Sequence, residues 1–184
     1  MINKIRKELN ESSNDEAKKS IRKSIPTAKN IYGVRVPTIN RLAEKYKSGG
    51  FSLVEKLWNS NRFEEKLLAS KILGKICKEN PEKTLKLIKK FSNQIECWAV
   101  CDTLATQGIK EIAKQKQREI FNLAEKSIKS KDKWKIRFGI VLLTNYAKDR
   151  ELKNKINKII SKVENDSYYV KKSLSWVKSK IIKI

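Results

Sequence analysis

Apolar residues return every three or four positions along nearly the whole chain, and no stretch alternates apolar with polar residues as a half-buried strand would. The pattern predicts about ten amphipathic helices joined by short turns. Pro37 is suited to the first helical position of a segment running on through Thr38 to Ala43, which Gly49-Gly50 would end. Asn80-Pro81-Glu82 reads as a side-chain cap, an N1 proline and a first-turn acid opening a helix from Lys83 to Phe91. Ser92-Asn93 is expected to cap the next helix, and Gly108 to close it as a left-handed residue. Asp132 and Asp166 are each expected to cap a further one.

A longer period overlies this pattern. Phe63, Trp98, Trp134 and Tyr169 stand 35, 36 and 35 residues apart, and each would begin a helix. Each is followed three or four residues on by a polar group: Lys66, Asp102, Arg137 and Lys172. Second amphipathic segments, Thr84–Phe91, Gln117–Ile128 and Leu152–Val163, fall between them. A two-helix unit recurring at this spacing predicts an all-α fold, an α-α superhelix of HEAT-like repeats. The W-x2-L-G-x2-Y pattern of tetratricopeptide repeats is missing. In such a solenoid one helix of each pair lines the concave face, so Lys66, Asp102, Arg137 and Lys172 are expected along one groove beside Trp98 and Trp134. Spacing alone leaves Trp98 and Trp134 equally open to a core role between repeats. Asp102 is open to a simple pairing with Arg137, and Lys66 and Lys172 to being ordinary surface lysines. Trp58 lies at core spacing in its helix.

Composition narrows the chemistry. The 184 residues carry 43 Lys+Arg against 20 Asp+Glu, a formal charge of +23, with no histidine and three cysteines. The length suggests one domain spanning residues 1–184. Without histidine there is no Ser-His or Cys-His nucleophile pair and no HExxH zinc site. Cys77, Cys97 and Cys101 form no CxxC. They are expected to be small buried hydrophobes in a reduced, cytoplasmic protein with no metal site. No apolar leader and no run of about 18 apolar residues is present, so neither export nor a membrane span is expected. The charge points to nucleic acid as the partner. A phosphate-binding groove has no use for an acid, however, so Asp102 asks for a separate explanation.

Four motifs in order suggest one. They are Tyr32-Gly33-Val34-Arg35-Val36-Pro37-Thr38-Ile39-Asn40-Arg41-Leu42, Trp98-Ala99-Val100-Cys101-Asp102, Trp134-Lys135-Ile136-Arg137, and Lys172-Ser173-Leu174-Ser175-Trp176. Together they resemble the DNA alkylation repair proteins with HEAT-like repeats, the AlkD-like alkylpurine DNA glycosylases, from about Ile21 to Trp176. The resemblance implies a helical solenoid that wraps duplex DNA and excises purines made cationic by alkylation at N3 or N7; a monomer without a cofactor is expected. It implies that Asp102 is the catalytic carboxylate, that Trp98 and Trp176 line the deoxyribose, and that Arg137 holds the DNA backbone. Trp134, Lys66, Lys172, Arg35 and Arg41 are the further DNA-binding candidates. The chain departs from the family at Cys97 and Ala99, where an aromatic and an acid are common. Eight residues follow Trp176, so the family's C-terminal capping helices are expected to be absent.

The chemistry agrees with those roles. Trp98 and Asp102, at i and i+4, share one helix face. A cationic purine leaves without a general acid, and the positive charge that then spreads over the sugar is stabilised by indole faces and a carboxylate. The rival expectations are a non-catalytic DNA- or RNA-binding solenoid and a helical scaffold for acidic proteins.

Overall fold

A computed structural model of the chain describes residues 1–182. Among them are eleven α-helices and four short 3₁₀ turns, with no strand. The helices are α1 (Ile2–Glu11), α2 (Asp15–Ser24), α3 (Val36–Tyr46), α4 (Gly50–Trp58), α5 (Phe63–Ile76), α6 (Pro81–Ser92), α7 (Trp98–Gln107), α8 (Gln117–Ile128), α9 (Lys133–Leu142), α10 (Lys153–Ile160) and α11 (Tyr168–Ile182). The four aromatics of the repeat stand at the first or second residue of α5, α7, α9 and α11.

These odd-numbered helices, led by α3, form an inner row in which each packs on the next. The outer helices α4, α6, α8 and α10 each pack on the inner helix that follows. The result is an all-α helical-repeat superhelix. Because an inner helix is covered by two neighbours and an outer partner, it buries more than one stripe. In α5 every residue except Lys75 is buried. The apolar core is one connected cluster reaching from Ile5 to Ile181. Trp58 belongs to it: its ring stacks on Phe91 at 4.3 Å, and its indole N–H donates to Gln94 Oε1 at 2.6 Å.

Local chemistry sets most of the boundaries. Asn80 Oδ1 accepts from the Lys83 N–H at 2.9 Å, with Pro81 opening α6. Asp132 Oδ1 accepts from the Trp134 and Lys135 N–H groups at 2.8 and 2.9 Å. Pro37 is the second rather than the first residue of α3, and Gly50 (φ +60°) makes the sharp turn into α4.

Three expected caps are corrected. Ser92 ends α6, its hydroxyl donating back to the Lys89 carbonyl, and α7 starts after Cys97 instead. Gly108 follows α7 in right-handed conformation, φ −61°. Its need for glycine is steric, since a Cβ there would lie 2.7 Å from the Leu104 carbonyl and 2.8 Å from Ile88 Cδ1. Asp166 stands outside α11 and pairs with Lys171 at 2.9 Å. Gly74 allows the closest helix approach, because a Cβ on it would meet the Gln107 carbonyl at 2.0 Å.

Candidate functional site

One face of α3, α5 and α7 carries two grooves. On α5, Phe63 and Leu67 line the first, and Lys71, Gly74 and Lys75 the second, which Lys78 of the following 3₁₀ turn extends. Steps of three and four residues place the five α5 residues on the same side of the helix.

The first groove is a cleft of about 530 Å³ at the N-terminal ends of α5 and α7. Trp98 and Asp102 belong to its α7 wall, Ile21 and Ile25 come from α2 and its end, and Val34 to Val36 close a further side. Trp98 is half-buried, and its indole N–H donates to the Ser24 carbonyl at 3.1 Å, which fixes the ring against the end of α2. Arg35 and Glu16, both exposed, pair at 3.3 Å and both line the cleft.

Asp102 is held by Arg137 of α9 in a two-point grip, Nε to Oδ1 at 2.9 Å and Nη2 to Oδ2 at 2.7 Å. Nη1 of the same guanidinium donates to the Tyr169 carbonyl at 2.6 Å. The side chains keep 18% exposure for Asp102 and 7% for Arg137. Burial pushes the Asp102 carboxyl up, Arg137 offsets this only in part, and the net position is above the ordinary aspartate value. Burial lowers the guanidinium, but the hydrogen bonds and charge of Asp102 outweigh it, so Arg137 stays charged. The pair is therefore a fixed carboxylate with one edge toward the cleft. The resemblance implies that Arg137 holds the DNA backbone; its donors go to Asp102, the pairing that the spacing also left open, and to the start of α11, because stacking α9 on α7 brings the two residues together.

The other candidates are dispersed. Trp134 is 7% exposed and packs on Tyr169 with centroids 4.7 Å apart, the core alternative of its spacing. Lys66 is 9% exposed, with Nζ 5.7 Å from the Trp58 ring, and it lines a separate recess beside Asn59 and Glu96. The single groove expected to carry Lys66, Asp102, Arg137 and Lys172 therefore does not form. Arg41 is exposed 4.0 Å from Glu8, on the side of α3 that meets α1. Trp176 is half-buried on α11 and does not line the cleft, and Lys172 is exposed over the Tyr168 ring. The three cysteines are free and buried, and burial pushes their thiols up, away from nucleophilic use.

Two features escaped the sequence reading. The first is a pair of fully buried acids opening α5. Glu64 accepts from the backbone N–H groups of Tyr32, Gly33 and Val34 at 3.0, 2.7 and 3.1 Å. Glu65 accepts from the Tyr32 hydroxyl at 2.7 Å and from Arg6 Nε at 3.0 Å. Burial, then the hydrogen bond to Glu65, pushes the Tyr32 phenol up to about 12. Gly33 (φ +91°) lets three successive N–H groups converge on one carboxylate. The acids thus clamp the segment that continues into the Val34–Val36 wall. Glu64→Gln puts an amide N–H₂ among those donors and is expected to cost about 1–3 kcal/mol. The check is a lower urea midpoint at unchanged slope.

The second feature is the other groove, about 610 Å³, at the C-terminal ends of α3, α5 and α7. Lys47, Lys71, Lys75, Lys78 and Lys110 line it against Glu44 and Glu111, five cations to two anions. Lys47 and Lys75 hydrogen-bond Glu44 and hold it down at about 2, and Lys78 pairs with Glu111 at 3.1 Å. Lys71 is 7% exposed, and its partner is the neutral Gln107 Oε1 at 2.7 Å. Burial, then the charge of Lys75, lowers its pKa. The signal was the continuation of the Phe63–Leu67 register through residues 71, 75 and 78. Nothing in that register told a groove from open solvent.

Among the described residues no group of three His, Cys, Asp or Glu side chains is placed to hold a metal, and no helix is long and apolar enough to cross a membrane. A family model described as DNA alkylation repair enzyme matches residues 5–179. Comparison with curated proteins and with solved structures gave no match.

Proposed function

This chain belongs to the DNA alkylation repair enzyme family, and on that premise we propose that it is a DNA glycosylase for purines alkylated at N3 or N7 in duplex DNA. One observation carries the reading: a mostly buried carboxylate, Asp102, gripped by Arg137 and facing a cleft beside the Trp98 indole. Pure phosphate binding gains nothing from that arrangement, whereas a developing sugar cation does.

The alkylated purine already carries positive charge, so the electron pair of its C1′–N bond leaves with it and no general acid is needed. That suits a chain without histidine. Charge then collects on the sugar, where the carboxylate and the indole face oppose it. Water completes the hydrolysis at C1′, oriented by Asp102 and losing its proton to it or to solvent. The lysine groove, which begins about 6 Å along α5 from Leu67, supplies cations for the duplex backbone and makes binding salt-dependent. The reading takes the chain as one domain, acting as a monomer without metal or cofactor.

The test is release of free base from duplex DNA carrying N7-methylguanine. Salt-sensitive binding without release would replace this reading with a non-catalytic DNA-binding repeat protein. A pH profile adds a second check. Because the Asp102 carboxyl lies above the ordinary aspartate value, it takes up its proton as the pH falls, and release is lost, at a higher pH than for an ordinary aspartate. An acid limb at or below the ordinary aspartate value would contradict the assignment.

A further inference from the structure

The basic groove holds one lysine whose setting phosphate binding does not use. Lys47 and Lys75 are bonded to Glu44, and Lys78 pairs with Glu111. Those three lysines are exposed, as is Lys110. Lys71 lines the same groove but is 7% exposed, at its floor. Among the described residues its hydrogen-bond partner is neutral: Nζ donates to Gln107 Oε1 at 2.7 Å. Burial, and then the charge of Lys75, lower its proton affinity. A desolvated amine beside a second cation is the setting in which lysine gives up its proton and acts as a nucleophile. Its position is fixed, because Gly74 seats α5 against the Gln107 carbonyl and so keeps Lys71 and its partner in register.

Base release supplies an electrophile for that amine. The sugar left behind is a hemiacetal that opens to an aldehyde at C1′. Gln107 stands five residues beyond Asp102 on α7, about 7.5 Å along the helix, or roughly two nucleotide steps of a strand. A shift of that length after excision carries the abasic sugar from Asp102 to Lys71, while the exposed lysines keep hold of the flanking phosphates. We propose that Lys71 is the nucleophile of a second activity, an abasic-site lyase that consumes the product of base release. It rests on the reading that this chain excises alkylated purines. The Lys71 nitrogen bonds to C1′ and water leaves, giving an imine. C2′ then loses a proton to water, the C3′–O bond breaks, and the 3′ phosphate departs with its electron pair. Water hydrolyses the imine, which returns the amine and frees an unsaturated aldehyde at the end of the cut strand.

The test uses the full chain and a duplex with one preformed abasic site, made from a uracil position, so it does not depend on base release by this protein. Borohydride is expected to reduce the imine and trap a covalent adduct, and peptide mapping to place the sugar on Lys71. Lys71→Gln, which removes the amine, and Lys71→Arg, which keeps the charge, should both lose the adduct and the strand cut. Lys71→Arg should still bind the duplex within about two-fold of the parent, since the cation count is unchanged. A cooperative melt above the assay temperature shows that each variant is folded, and mapping on the parent protein decides the question if neither folds. No adduct with the parent, an adduct mapped to the exposed lysines instead, or one undiminished in Lys71→Arg would overturn the assignment. Release of N7-methylguanine without any adduct removes Lys71 and leaves the glycosylase reading standing. An adduct on Lys71 without base release does the reverse.

Discussion

Asp102→Asn is expected to lower release of N7-methylguanine from duplex DNA by about 100- to 1,000-fold, the scale of removing one preorganised charge-stabilising group. A unit charge about 4 Å from the sugar, at an effective dielectric near 20, is worth up to about 4 kcal/mol, or close to three decades in rate. The guanidinium opposes part of this, since the cation in the cleft meets a paired carboxylate rather than a bare one. The pair nonetheless has its negative end at the cleft, and Asp102 keeps 18% of its side chain open to it. Asparagine retains the shape and one acceptor for Arg137 but removes the charge. A cooperative thermal melt above the assay temperature, with release followed under single-turnover conditions, separates lost chemistry from lost fold. Undiminished release by a folded Asp102→Asn protein would remove Asp102 from the mechanism.

Arg137→Met is expected to be strongly destabilising. It leaves Asp102 charged, mostly buried and without its partner, and it frees the Tyr169 carbonyl at the start of α11. Removing one member of a buried pair costs about 3–5 kcal/mol, and the partial exposure of Asp102 puts this case near about 3. For a chain of this size that corresponds to a fall in melting temperature of roughly 6–12 °C. Methionine fills much of the volume, so packing loss is kept small. Pairing Arg137→Met with Asp102→Asn should cost less than the sum of the two, because the second change removes the charge that the first strands. Arg137→Met should also move the acid limb of base release to higher pH, since the guanidinium is what offsets burial of the carboxyl. An unchanged melting temperature would show that the pair contributes little.

Much of this architecture is local and was legible in the chain. Phe63, Trp98, Trp134 and Tyr169 mark the starts of the inner helices because each repeat meets the same packing environment. The caps at Asn80 and Asp132 form because their side chains bond N–H groups two or three residues away. The misreadings at Ser92, Gly108 and Asp166 share a cause. Each residue type has a local use, and at each position another contact decided. At Gly108 it was the approach of Ile88 and of the preceding turn, and at Asp166 it was Lys171.

The candidate site divides the same way. Helical period puts Trp98 and Asp102 on one face, and the absence of histidine bounds the chemistry whatever the fold. Contacts between distant segments decided the rest. Arg137 grips Asp102 from 35 residues away, Glu64 reaches backbone N–H groups about thirty residues earlier, and Trp134 closes on Tyr169. A periodic pattern states which side of a helix a residue occupies, but not which neighbour covers that side or leaves it open. The sequence by itself thus determined an all-helical repeat with a carboxylate beside an indole. Only the tertiary structure turned Arg137 toward that carboxylate and gathered Lys71 and its neighbours, rather than Lys66, into a basic groove. The physical reason is that helix period is set by bonds four residues apart, whereas burial and pairing are set by whichever helix stacks alongside.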